Sequence, residues 1–307
     1  MTDLALYVLI AIAAGTAVAL AVYIRRSGRL SRLFLALPKQ TRRTLIAKPS
    51  LIRLAGETRT ITYLSCRIAN ASEIEQAFRD RPADLIRLFE KRLGALYDAV
   101  LAHGGTVEHF GSAGFAAFWN APLAEPKHAE CAAAAATQMM RTLREQNTAL
   151  LRRQAMAAPP LKLAIGIATG PAAAGLFGGA YSVAGACVPR AEELRTASAE
   201  YGFATLADAE TAEAAQTFAL LKIDRPARGT DETHAIYALF GDQGVRASPT
   251  FRALSTYHDR IFAALDAQNH EEARELIAQA SALSGASKKL YDLYTLRDLR
   301  APLKQAS

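Results

Sequence analysis

The stretch that decides the fold is "GGTVEHFGSAGFAAFWNAP", residues 104–122. Two glycines halt whatever precedes them, and two short apolar runs, "TVEHF" and "GFAAFW", flank a Gly-Ser-Ala turn, which is the pattern of a β-hairpin. Upstream, Pro82 starts a helix in which Leu85, Phe89, Leu93, Leu96, Val100 and Leu101 recur at helical spacing up to His103. Before that, residues 58–66, "TRTITYLSC", are β-branched and aromatic and predict a strand. Ser72 with Glu75 forms an S-x-x-E capping box for a short helix between them.

Downstream, residues 127–155 are rich in Ala and Leu and predict a helix, which Pro159 and Pro160 end. "LKLAIGIATG", residues 161–170, is an apolar strand, "GGAYSVAG" a turn with a further strand, and residues 188–201 a helix. The order implies an α+β sandwich with helices on one face of a mainly antiparallel sheet. From Phe251 only helical spacing remains, in three short segments around residues 251–265, 273–280 and 290–294. Helices this short do not bury their apolar faces alone, so the tail is expected to dock on the preceding domain or on a partner.

Composition supports a folded chain of 307 residues, with 51% apolar and 21% charged residues. The net charge of +7 is local. Nine basic and no acidic residues lie between Arg25 and Arg53, leaving 27 basic against 29 acidic elsewhere. No nucleic-acid partner is expected from such a distribution. The basic cluster follows an uncharged run at residues 4–24, long enough as a helix to cross a hydrocarbon core of ~30 Å. The expectation is a single-pass anchor in the inner or plasma membrane with the rest of the chain in the cytoplasm, its basic segment close to anionic lipid. Cys66, Cys131 and Cys187 are far apart with no C-x-x-C pair, which fits a reducing compartment and argues against a disulfide framework or zinc site.

Five pieces, in order, carry a resemblance to the class III adenylate and guanylate cyclases: "GGTVEHF", "AFWNAPLAEPKHAECA", "LKLAIGIATGPAAAGLFG", "YSVAGACVPRAEEL" and "LKIDRPARGTDETHAIYALFG". The resemblance implies a ferredoxin-like βαββαβ-type cyclase domain over residues 57–241. An anchor (1–24) and a basic linker (25–56) would precede it, and a helical extension (242–307) would follow. It also implies two Mg²⁺ or Mn²⁺ ions held by two carboxylates, one at the end of the first strand and one in the hairpin turn. In this sequence those positions are Arg67, in "ITYLSCRI", and Ala113, in "GSAGFAAFW". A cation placed about 4 Å from a metal ion costs about 4 kcal/mol per unit charge even at an effective dielectric of 20.

The family's Asn and Arg, which orient the ribose and stabilise the transferring phosphoryl group from the second subunit, correspond to Pro189 and Glu193. Its purine-selecting positions correspond to His109 and Ala180. A cyclase frame with both half-sites changed is expected to need no cofactor and to act as a pseudoenzyme in signalling, as a homodimer or as a heterodimer with another cyclase-domain protein. Two alternatives stay open: an active cyclase making cAMP and pyrophosphate with displaced ligands, for which Glu108 is the nearby carboxylate, and a nucleotide-sensing module. Arg67 is expected to find a salt bridge with Glu108 or Glu193.

Overall fold

The computed structural model describes residues 37–48, 56–111, 113–152, 159–177, 180–224, 235–283 and 288–297. The apolar run at residues 4–24 and most of the basic segment lie outside them. No helix among the described residues is long and apolar enough to cross a membrane.

The strands are β1 (Glu57–Ile68), β2 (Thr106–Gly111), β3 (Gly114–Trp119), β4 (Leu163–Phe177), β5 (Ala180–Gly185), β6 (Thr205–Asp208), β7 (Ala219–Asp224) and β8 (Ile236–Gly241). They form one sheet in the order β2-β3-β1-β4-β6-β8-β7, with β5 on the outer part of β4. The β4–β6 pair is parallel and the other pairs are antiparallel. The hairpin expected at residues 106–119 is β2–β3, and β3 hands the sheet on to the central strand β1.

Helices cover both faces, which corrects the one-face expectation. Along β1, Leu64, Cys66 and Ile68 belong to one core with α3 (Pro82–Ala102) and α4 (His128–Arg152). Ile61 and Tyr63 point the other way, into a core with α5 (Cys187–Tyr201). The cause is visible in burial. Residues 61–66 of β1 and 163–169 of β4 are buried without a break, as strands covered on both sides must be, whereas a one-faced sheet would alternate. Gly166 makes the second layer possible, because a Cβ there would lie 1.9 Å from the Ala191 carbonyl oxygen of α5.

α2 (Ala71–Ala77) starts one residue before Ser72, so no capping box forms and its N-cap residue Asn70 makes no side-chain cap. Asn70 instead braces the segment before β4, donating from Nδ2 to Pro160 O at 3.0 Å and accepting at Oδ1 from Lys162 N at 2.9 Å. After α6 (Ala209–Ala214) and α7 (Gln243–Ala247), the tail folds as α8 (Pro249–Asp266), α9 (His270–Leu283) and α10 (Lys288–Arg297). It docks on its own domain: Phe251, Leu254, Ile261, Leu276 and Tyr294 share a core with Leu206, Leu221 and Ile223 of the sheet. Within the basic segment, α1 (Lys39–Ala47) buries Leu45, and Leu37 just before it, in that same core.

Candidate functional site

The base of the β2–β3 hairpin is tightly fixed. Gly104 adopts φ +77°, a left-handed turn after α3 that L side chains rarely adopt. At Gly105 a Cβ would lie 2.6 Å from the Trp119 ring, and Trp119 Nε1 donates to His103 O at 2.8 Å. Asn120, itself at φ 75°, donates from Nδ2 to Thr60 O at 2.9 Å and accepts at Oδ1 from Glu125 N at 2.7 Å. These contacts explain why "GG" and "FWNAP" belong together.

The tip joins β1. Ile68 N donates to Ala113 O at 2.8 Å, and Arg67 is in register with Gly114 on one side and Ala164 on the other. A Cβ at Gly114 would sit 2.1 Å from Cys66 O, so the hairpin presses directly on the strand. The sequence thus brings Arg67 and Ala113 together, at the end of two adjoining strands. Neither side chain offers an oxygen, so the residues present do not fit a pair of magnesium ions. Among the described residues, no three His, Cys, Asp or Glu side chains gather as a metal-binding set.

The expected salt bridge is absent. Arg67 is exposed and forms no ion pair with Glu108 or Glu193. Glu193 is 66% exposed and pairs with Arg190 at 3.3 Å. Glu108 is taken up elsewhere. A β-bulge between Val107 and His109 breaks the strand alternation there, and the Glu108 side chain, 3% exposed, turns into the sheet. It accepts from Tyr63 Oη at 2.6 Å, from Val183 N at 3.2 Å and from Ser182 Oγ. Burial first, and then the hydrogen bond to Glu108, pushes the Tyr63 phenol well above the ordinary tyrosine range. This carboxylate ties β2 to β1 and β5.

The remaining positions stand apart. Pro189 and Glu193 lie in the first two turns of α5, both exposed. His109 is 76% exposed at 3.8 Å from Glu108, and Ala180 opens β5. Pro189, Glu193 and His109 do not line the cleft that holds Arg67. What does face it from α5 is Arg195, whose Nε donates to Ser65 Oγ at 2.9 Å. Sequence reasoning passed over Arg195; the available signal was strand alternation, which puts Ser65 and Arg67 on one face of β1.

Other buried polar groups serve the frame. Thr62 Oγ1 meets His128 Nδ1 at 2.7 Å and Thr169 Oγ1 at 2.8 Å, and Thr169 Oγ1 meets Thr211 Oγ1 at 2.8 Å. Asp208 caps α6 by accepting from Thr211 N at 2.9 Å, while burial pushes its carboxyl up to about 6. Burial also pushes the Cys66 thiol up to about 12 and the Cys187 thiol up to about 11, so both are inert as nucleophiles.

No family model matches the chain. It is 30% identical over 130 residues to adenylate cyclase 1 of Rhizobium meliloti (strain 1021), a match covering 41% of this chain and only 19% of that protein's length. The guanylyl cyclase Cya2 superposes with a TM-score of 0.52 at 24% identity, over 61% of this chain and 94% of that one. The adenylyl cyclase CyaB from P. aeruginosa gives 0.51 at 23% identity, over 61% and 96%. A bacterial light-regulated adenylyl cyclase gives 0.55 at 15% identity, over 72% and 63%. The fold is therefore that of an adenylyl or guanylyl cyclase homology domain.

Proposed function

We propose that this chain is a membrane-anchored, non-catalytic cyclase-homology protein that acts in signalling through dimerisation and protein contacts. The observation that carries the reading is that Arg67 and Ala113 lie side by side at adjoining strand ends, Arg67 in register with Gly114 and Ile68 N bonded to Ala113 O, where a metal-dependent cyclase needs two carboxylates. The burial of Glu108 in bonds to Tyr63, Ser182 and Val183 supports it, because the nearest replacement carboxylate is committed to the frame. So does the state of α5. Pro189 and Glu193 supply neither the amide nor the guanidinium that the partner half-site would need, and a carboxylate there repels a transferring phosphoryl group.

Since each site of a cyclase dimer takes one set of residues from each chain, substitution of both sets silences this chain in any pairing. What remains available is the fold itself as a docking module. The experiment is the native mass of the full chain, extracted from its own membrane with its partners retained. A homodimer, or a complex with another cyclase-domain protein, is the expected result. A monomer without any co-purifying protein would sink the reading.

A further inference from the structure

A string of buried polar side chains crosses the sheet beneath the start of α4. Thr62 of β1 and Thr169 of β4 are register partners, and strand alternation turns both to the side where Leu64, Ile165 and Ile167 pack with α4. The links are direct: His128 Nδ1 to Thr62 Oγ1 at 2.7 Å, Thr62 Oγ1 to Thr169 Oγ1 at 2.8 Å, and Thr169 Oγ1 to Thr211 Oγ1 at 2.8 Å. The Thr211 side chain in turn hydrogen-bonds the Asp208 carboxylate, which also accepts from Thr169 N at 3.0 Å. Thr62, Thr169, Thr211 and Asp208 are all buried. Only His128, half-buried at the head of α4, reaches the surface, and its Nε2 makes no hydrogen bond among the described residues.

Such a string has a direction, because a hydroxyl donates one proton and an ionised carboxylate only accepts. With Asp208 ionised, Thr211 donates to it, Thr169 donates to Thr211, and Thr62 donates to Thr169. Thr62 then has only its lone pairs left for His128, so the imidazole carries a proton on Nδ1. With Asp208 protonated, every bond in the string reverses. Thr62 now donates to His128, Nδ1 offers its lone pair, and the imidazole proton sits on Nε2.

We propose that His128, Thr62, Thr169, Thr211 and Asp208 form a proton relay, in which the protonation state of the buried carboxylate sets the tautomer of the imidazole. A proton from solvent adds at His128 Nε2, the Nδ1 proton passes to Thr62, and each hydroxyl hands its own proton on until one arrives at Asp208. The net change is one solvent proton bound at the carboxylate, with the imidazole neutral before and after. Burial supports this placement of the charge, since it pushes the Asp208 carboxyl up to about 6 and lowers His128 below its ordinary value. Three neighbouring groups act on the pair. Glu125, before α4, favours a charged imidazole; Glu210 of α6 favours a protonated carboxyl; and the Cys187 thiol of α5, pushed up to about 11, faces Asp208 uncharged. The relay goes beyond the non-catalytic reading and does not rest on it, because it involves neither Arg67 nor Ala113.

The test is nitrogen NMR of the full chain in detergent, with its histidines isotopically labelled and the His128 signals assigned by their loss in His128→Gln. As pH falls from about 8 to about 5, His128 should stay neutral and move from the Nδ1–H to the Nε2–H tautomer, whereas an ordinary histidine gains a charge in that range. Asp208→Asn, which keeps a residue suited to cap α6, should abolish this change of tautomer. Thr169→Val removes the central hydroxyl and should leave His128 to titrate alone, and Thr169→Ser should restore the coupled change. Should Thr169→Val fail to fold, the parent and Asp208→Asn decide the matter between them. The relay is overturned if His128 of the parent charges with a midpoint near 6.5 or keeps one tautomer throughout. It is equally overturned if the change of tautomer survives in Asp208→Asn or in Thr169→Val, since a string that only holds the frame would leave His128 alike in every variant.

Discussion

The base and the tip of the β2–β3 hairpin are only a few residues apart and obey different rules. At the base, Gly105, Trp119 and Asn120 are each fixed by a close approach or by backbone hydrogen bonds. At the tip, Gly114 is held by contact with β1, yet its neighbour Ala113 contributes only a carbonyl to the fold. Packing therefore dictates the residue at the base and leaves the side chain free at the tip. A frame governed by packing constrains Gly105, Trp119 and Asn120 whatever side chain residue 113 carries.

Trp119→Ala should break the base outright. It removes a fully buried ring and its bond to His103 O, for an expected loss of about 3–5 kcal/mol in urea unfolding. Gly114→Ala comes next, at about 3 kcal/mol, because backbone on β1 must move to admit the methyl group. Ala113→Asp, one residue away, should stay within about 0.5 kcal/mol of the parent, and Arg67→Ala likewise. If Ala113→Asp proved as damaging as Gly114→Ala, the contrast between frame and vacated side chain would collapse.

The C-terminal helices carry the same logic into the second core. His258 of α8 donates from Nδ1 to Lys222 O at 3.0 Å and accepts at Nε2 from Tyr291 Oη at 3.1 Å, and burial pushes its imidazole down to about 4. The folded value lies below the unfolded one of 6.5, so this stability is fully present above pH 6.5 and is lost as pH falls towards 4. Asp208 acts in the opposite sense. Its folded value of about 6 lies above 3.8, so its stability is present at low pH and lost as pH rises through 6. Unfolding curves of the parent and of His258→Gln should therefore converge or cross on acidification, their difference changing by about 2 kcal/mol between pH 6 and pH 4. A pH-independent difference would mean that His258 is not held neutral.

Much of this fold could be read from residues 104–122 and the strands around them, because glycines, the apolar alternation and Pro82 act locally. The two-sided burial is legible in the apolar run of β4, residues 163–168, but not in β1, where Thr62 and Ser65 break the apolar run although both are buried. Two further features were not legible. The bulge that turns Glu108 inward depends on Tyr63 and on Ser182, 74 residues further along the chain, and no local pattern encodes such a contact. The cleft that holds Arg67 draws one cation each from β1, α4, α5, α10 and the turn before β4, so its charge appears only once the chain has folded.

The central claim is that the cyclase frame has lost its chemistry, and direct assay for a cyclic product tests it. The full chain, alone, incubated with ATP or with GTP and Mn²⁺, should form neither cAMP nor cGMP above the protein-free control. A cyclic nucleotide whose yield rises in proportion to the amount of this protein would contradict the account.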